Sequence, residues 1–166
     1  YKRQAINQLN YKIFIVKMSD FTTIAQQVIS DYSGYMKFGK LFILIENMVR
    51  SYNFTEDATK IQFVSSTLGE IYSMAMEEKI YGVAEAAQSY SENVGIPPSS
   101  LNIDSSEITK QMEAFKAKVD AKKIEIEKAK KSQKKDIVRI EYFNLGELYY
   151  KNGSMQKAAE AFRIAY

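Results

Sequence analysis

The sequence predicts an all-α fold, a superhelix of stacked helical hairpins. Three observations predict it. Only two prolines and seven glycines interrupt 166 residues, too few breakers for a chain of short strands and tight turns. Apolar residues recur at three-and-four spacing through successive segments, the period of a helix with one buried face. The alternation that marks a half-buried strand hairpin is found nowhere. With 46% apolar residues over this length, a core of ordinary size is expected.

The elements follow in order. Over residues 2–17, Ile6, Leu9, Ile13 and Val16 keep helical spacing, while Tyr11 to Val16 also suits a strand; helix is preferred. Ser19 or Asp20 is expected to cap a short helix carrying Ile24, Val28 and Ile29. Asp31-Tyr-Ser-Gly34 breaks the chain, and an apolar helix follows over roughly 35–51. Leu41, Leu44, Ile45 and Met48 mark its main face, and Phe38, Phe42 and Ile43 widen it. So broad an apolar circumference predicts packing on two sides. Thr55-Glu-Asp reads as the next N-terminus, with the hydroxyl as cap. Its helix carries Ile61, Val64, Leu68, Ile71, Tyr72 and Ala75, and a further helix over roughly 77–92 carries Ile80, Tyr81, Val83, Ala84 and Ala87. Pro97-Pro98, among small polar residues, marks 93–105 as an exposed linker loop. Ser105 or Ser106 is expected to cap the longest helix, which runs to about Lys131. Ile108, Met112, Phe115, Val119, Ile126 and Ala129 trace a narrow stripe along it, with Lys122 at one stripe position. Ser132 to Asp136 bends or ends that helix, and Ile137 leads into the last element. The expected organisation is therefore N-terminal helical hairpins over 1–92, the loop over 93–105, and the charged helix with a terminal repeat over 106–166.

Composition removes several kinds of chemistry. Without His the usual general base and commonest metal ligand are missing, and without Cys there is no disulfide framework or thiolate nucleophile. The serines consequently have no triad partner, and no Gly-rich phosphate-binding loop is present. Glu77, Glu78, Glu85, Asp120 and Glu125 are scattered at surface-like helical positions rather than paired in a cleft. No enzyme activity, cofactor or metal is expected. The longest apolar runs, Ile13 to Val16 and Leu41 to Ile45, fall far short of the ~20 residues that span a bilayer. Net charge is +3, unevenly spread: residues 1–106 hold 9 basic and 11 acidic groups, 107–139 hold 11 and 6, and 140–166 hold 3 of each. The excess peaks at Lys128, Lys130, Lys131, Lys134 and Lys135, five lysines in eight residues. An acidic partner, nucleic acid or an inositol phosphate would suit such a run. A solvated helix face is the commoner meaning, and nucleic acid is disfavoured because Arg and interleaved aromatics are lacking.

The last 27 residues carry a motif. Tyr142, Leu145, Gly146 and Tyr149 mark one helix, Asn152-Gly153 a turn, and Ala158, Phe162 and Ala165 a second helix. This is the pattern of a tetratricopeptide-type repeat, in which small residues let two antiparallel helices approach and aromatics fill the space around them. One such unit cannot bury its apolar face alone. The chain begins at Tyr1 and stops within the second helix, and reads as the N-terminal fragment of a longer helical-repeat protein.

Two segments resemble one family. Tyr32, Ser33, Gly34, Met36, Lys37, Lys40 and Leu41 stand at the positions of a motif near the N-terminus of subunit 1 of the COP9 signalosome, with Gly39 in place of a charged residue. The stretch from Lys135 to Phe162 is similar to that subunit's charged helix leading into Tyr-Asn-Leu/Phe-Gly, Tyr-Tyr, Gly, Ala and Phe. The repeat also resembles a paralogous subunit of the proteasome lid, which closes on a similar Ala161-Phe-Arg-Ile-Ala-Tyr166; Tyr32-Ser-Gly34 favours the signalosome. The resemblance implies a winged-helix PCI domain further along the polypeptide and a place in a hetero-oligomeric complex of nucleus and cytoplasm. That complex removes a ubiquitin-like modifier from cullins, using a metal-dependent site on another subunit. It also implies a non-catalytic scaffold role here, with other signalosome subunits and cullin-RING ligase components as partners. The rivals are a polyanion binder acting through the lysine run and a repeat adaptor holding a peptide in a concave groove.

Overall fold

The computed structural model describes residues 18–166, and among these the chain is helical throughout. The helix expected over residues 2–17 lies outside the described residues. Seven α-helices follow one another: α1 Met18–Asp31, α2 Gly34–Val49, α3 Ala58–Glu77, α4 Tyr81–Asn93, α5 Ser105–Lys131, α6 Lys135–Lys151 and α7 Met155–Ala165. Short 3-10 turns stand at Phe54–Glu56 and Pro98–Leu101. Residues up to Thr67 belong to one compact unit and those from Leu68 onward to a second, the division falling inside α3.

In the first unit, α1 packs on α2. α1 begins at Met18, so Ser19 and Asp20 stand in its first turn instead of capping it. α2 buries Phe38, Leu41, Ile45 and Met48, at the three-and-four spacing that makes one face. Phe42 and Leu44 beside that face are half-buried, while Met36 and Ile43 project outward at 63% and 58% exposure. Phe54 is buried and anchors the 3-10 turn that leads into α3. Thr55 is taken up in that turn, and Asp57 caps the helix in its place, its Oδ1 accepting from Thr59 N at 3.0 Å and Lys60 N at 3.2 Å. A carboxylate offers a stronger acceptor than a hydroxyl to the orphan amides of a first turn. The Phe21 and Phe63 rings meet edge to face at 5.9 Å.

In the second unit, the end of α3 buries Leu68, Ile71, Tyr72 and Ala75, and α4 buries Val83, Ala84 and Ala87. The stretch between α4 and α5 is exposed at most of its polar residues but pinned by its apolar ones. Ile96, Leu101 and Ile103 are all buried, because the Pro98–Leu101 turn folds its apolar side chains inward. The Tyr72 hydroxyl accepts from Asp104 N at 3.1 Å and ties the far end of this stretch to α3. Asp104, not Ser105 or Ser106, caps α5: its carboxylate accepts from Ser106 N at 3.0 Å and Glu107 N at 3.1 Å. Those bonds, with the Ser106 hydroxyl contributing most, hold its carboxyl below the usual carboxylate range. α5 buries Ile108, Val119, Ile126 and Ala129 along its stripe.

α6 and α7 fold back on each other across a three-residue turn. Their contacts run in opposite chain directions, with Phe162 against both Gly146 and Phe143. One core cluster joins Val119 and Ile126 of α5, Leu145 and Tyr149 of α6, and Ala158 and Ala161 of α7. At full burial, each of the larger aliphatic side chains here is worth roughly 2 kcal/mol of transfer free energy.

Candidate functional site

Three places merit attention: the family-like motif in α2, the groove beside α5, and the lysine-rich elbow between α5 and α6.

The motif residues split between core and surface. Leu41 is fully buried and Lys37 is buried with its ammonium 5.0 Å from the Phe38 ring centroid. Tyr32 lies open to solvent, and the Lys40 ammonium sits 4.4 Å above its ring, a cation–π contact spanning the turn. Gly34 opens α2 at φ 56°, a left-handed conformation natural to glycine, while Ser33 takes the N-cap position without a side-chain bond. Tyr32, Ser33, Gly34 and Lys40 thus make a surface turn beside a buried helix face.

The groove lies in the second unit. α4 forms one wall with Glu85 and Gln88, α5 the other, and Tyr149 and Lys157 of the terminal hairpin line it as well, enclosing about 570 Å³. Its floor is the α5 stripe: Ile108 and Val119 are buried, while Met112 and Phe115 are only half covered. Phe115 meets Tyr149 edge to face at 6.1 Å, and the Lys157 ammonium stands 5.9 Å from the same tyrosine ring. Three acids, Glu85, Glu113 and Asp120, and three lysines, Lys116, Lys123 and Lys157, border it, so the rim is neutral in sum. A floor of apolar side chains under a rim of both signs is suited to one or a few side chains of a peptide.

The terminal motif residues come together. Leu145, Gly146, Tyr149 and Ala158 are buried, and Tyr142, Phe162 and Ala165 half-buried, with Tyr150 turned outward. A Cβ at Gly146 would lie 2.6 Å from the Phe162 ring, so only a residue without one permits this approach. Gly153 has φ 84° and makes the turn. Asn152, beside it, is buried, and its backbone carbonyl accepts from Gly82 N at 3.0 Å. A Cβ on Gly82 would meet that oxygen at 2.2 Å. Gly82 therefore receives the hairpin turn, and nothing in the spacing of α4 marks it for that role.

Lys122, the charged position in the α5 stripe, also finds its reason here. Its ammonium bonds Glu125 and, at 2.9 Å, Glu141 of α6, which pins the two helices together. The Glu125 and Glu141 carboxylates raise the Lys122 pKa, and Lys122 holds Glu141 below its ordinary value.

The five lysines do not act alike. Lys130 bonds Glu127 at 2.8 Å and lies 5.4 Å from the Tyr142 ring; Glu127 foremost, then the Tyr142 hydroxyl, raises its pKa. Lys128, Lys131, Lys134 and Lys135 are exposed, and none forms an ion pair among the described residues. The described residues contain no group of three or more acidic side chains placed to hold a metal ion, and no helix among them is long and apolar enough to cross a membrane.

No protein-family model, curated protein or solved structure matches this chain.

Proposed function

We propose that the chain is a non-catalytic scaffold and protein-interaction arm of the COP9 signalosome, a TPR-like helical-hairpin superhelix belonging to a PCI-domain subunit. What supports this reading above all is the terminal hairpin. Tyr142, Leu145, Gly146, Tyr149, Ala158 and Phe162 pack on one another directly after a long charged helix, in the order that the family's sequence motif requires. The Tyr32–Lys40 surface turn adds support, because it gives the Tyr32-Ser-Gly34 motif a defined, exposed shape. On this reading the partners are other signalosome subunits and cullin-RING ligase components, in nucleus and cytoplasm, and the groove beside α5 is available to a peptide from one of them. The closing Ala161-Phe162-Arg163 sequence favours a second reading, a subunit of the proteasome lid, with the same scaffold role.

Affinity purification of the tagged protein from its own cells, followed by mass spectrometry, tests the proposal. Co-purifying signalosome subunits and cullins support it. Lid subunits in their place move the protein to the paralogous complex. Recovery of neither set overturns both assignments.

A further inference from the structure

Among the described residues, the second unit carries a local excess of positive charge at one place. Along α5 from Ser105 to Glu127 there are five lysines and five acids, which cancel. From Lys128 to Arg139 there are six basic groups and one acid, Asp136. From Ile140 onward the two signs balance again at three each. Of the acids flanking the run in α5, Glu127 is engaged with Lys130 and Glu125 with Lys122, while Asp136 stands beside Lys135 in the first turn of α6. Lys128, Lys131, Lys134, Lys135 and Arg139 are left exposed and without an ion pair among the described residues.

The fold alone does not account for this. Lysines in the last turn of α5 complement its carbonyl end, but Lys134 and Lys135 stand at the start of α6, where a cation opposes the helix dipole. Like charges crowded into one elbow also repel one another. Next to them, Ile137 and Ile140 are 40% and 57% exposed on the first turns of α6.

We propose that this elbow, Lys128, Lys131, Lys134 and Lys135 with Ile137 and Ile140, docks an acidic segment of a protein partner that also carries apolar residues. Charge complementarity supports this, combined with the exposed apolar side chains beside the lysines. A long polyanion following α5 would meet Glu113, Asp120, Glu125 and Glu127 along the way, so the patch suits a short acidic stretch and not a track of phosphates. Exposed isoleucines give a peptide side chain an apolar contact and give a phosphodiester backbone none. The proposal is independent of which complex the chain belongs to.

The test uses the 166-residue chain and a fluorescein-labelled twelve-residue peptide of Glu-Glu-Leu repeats, read by fluorescence anisotropy. The expected result is binding that weakens by about tenfold or more between low and moderately high salt. Lys128→Gln/Lys131→Gln/Lys134→Gln/Lys135→Gln is expected to lose about tenfold in affinity. A charge-matched variant, Lys110→Gln/Lys118→Gln/Lys151→Gln/Arg163→Gln, should stay within about twofold, with circular dichroism confirming that both fold. Equal losses in the two variants would reduce the effect to net charge and overturn the proposal, as would no peptide binding. Tighter binding of a 20-base-pair DNA duplex or of phosphatidylserine vesicles through the same four lysines would also overturn it and assign the elbow to a polyanion or a membrane surface.

Discussion

Two turns in this molecule use a polar residue followed by a left-handed glycine, and they are held in different ways. At Ser33-Gly34 the turn lies at the surface, and a Cβ built on Gly34 would meet nothing within 4 Å. At Asn152-Gly153 the turn is docked: Asn152 is buried and its carbonyl rests on Gly82, some seventy residues earlier. The first turn is punctuation, stabilised by local geometry and the Tyr32–Lys40 contact. The second joins the terminal hairpin to the start of α4, so its residues carry a tertiary constraint as well as a conformational one. The same dipeptide signal can therefore mark a free surface or an assembly point, and only the partner tells which.

The comparison can be broken or sharpened by substitution. The largest effect is expected beneath the docked hairpin. Val119→Asp places an unpaired carboxylate in the cluster with Leu145 and Ala158 and should cost roughly 4 kcal/mol, about ten degrees of melting temperature. An unchanged melting point would remove the packing of α5 on the hairpin from consideration. Gly82→Val comes next. Its Cβ would collide with a backbone oxygen that cannot rotate away, and a loss of about 3 kcal/mol in urea unfolding is expected. Gly146→Leu meets a side chain and not backbone, so Phe162 can yield in part and the expected loss is about 2 kcal/mol. Gly34→Ala meets no atoms and carries only the strain of positive φ, about 1 kcal/mol. If Gly34→Ala proved more damaging than Gly82→Val, the contrast between free and docked turns would be lost.

The smallest effect concerns Lys122 and Glu141. Lys122 depresses the folded-state pKa of Glu141, so the pair contributes stability above the carboxyl's unfolded value and loses it as pH falls through the depressed folded value. In a double-mutant cycle with Lys122→Met and Glu141→Gln the coupling should be about 0.5 kcal/mol at neutral pH and vanish in acid. A coupling that persisted below the carboxylate range would show that something other than this ion pair joins α5 to α6.

Much of the fold was legible because helix periodicity and chain breaks are local. The limits of α5, the break at Ser132 to Lys134 and the pairing of α6 with α7 all follow from spacing and turn residues. Caps were less legible. Thr55 and Ser105 are plausible N-caps by type, yet Asp57 and Asp104 win because each carboxylate reaches two amides. In the stretch 94–104 the Pro97-Pro98-Ser99-Ser100 run signals the loop, while Ile96, Leu101 and Ile103 pin it inward.

The lysine run illustrates the division most clearly. Its location was plain in the sequence, but which lysines are committed was not: Lys130 belongs to Glu127 and Tyr142, and the remaining four do not. By itself the sequence determined the helical class, the element order and the charge map, since each depends on residues within a turn or two of one another. The tertiary structure alone decided the Gly82–Asn152 docking, the purpose of Lys122 and the groove beside α5. Those rest on contacts between residues far apart in the chain, and such contacts leave no periodic trace in either partner.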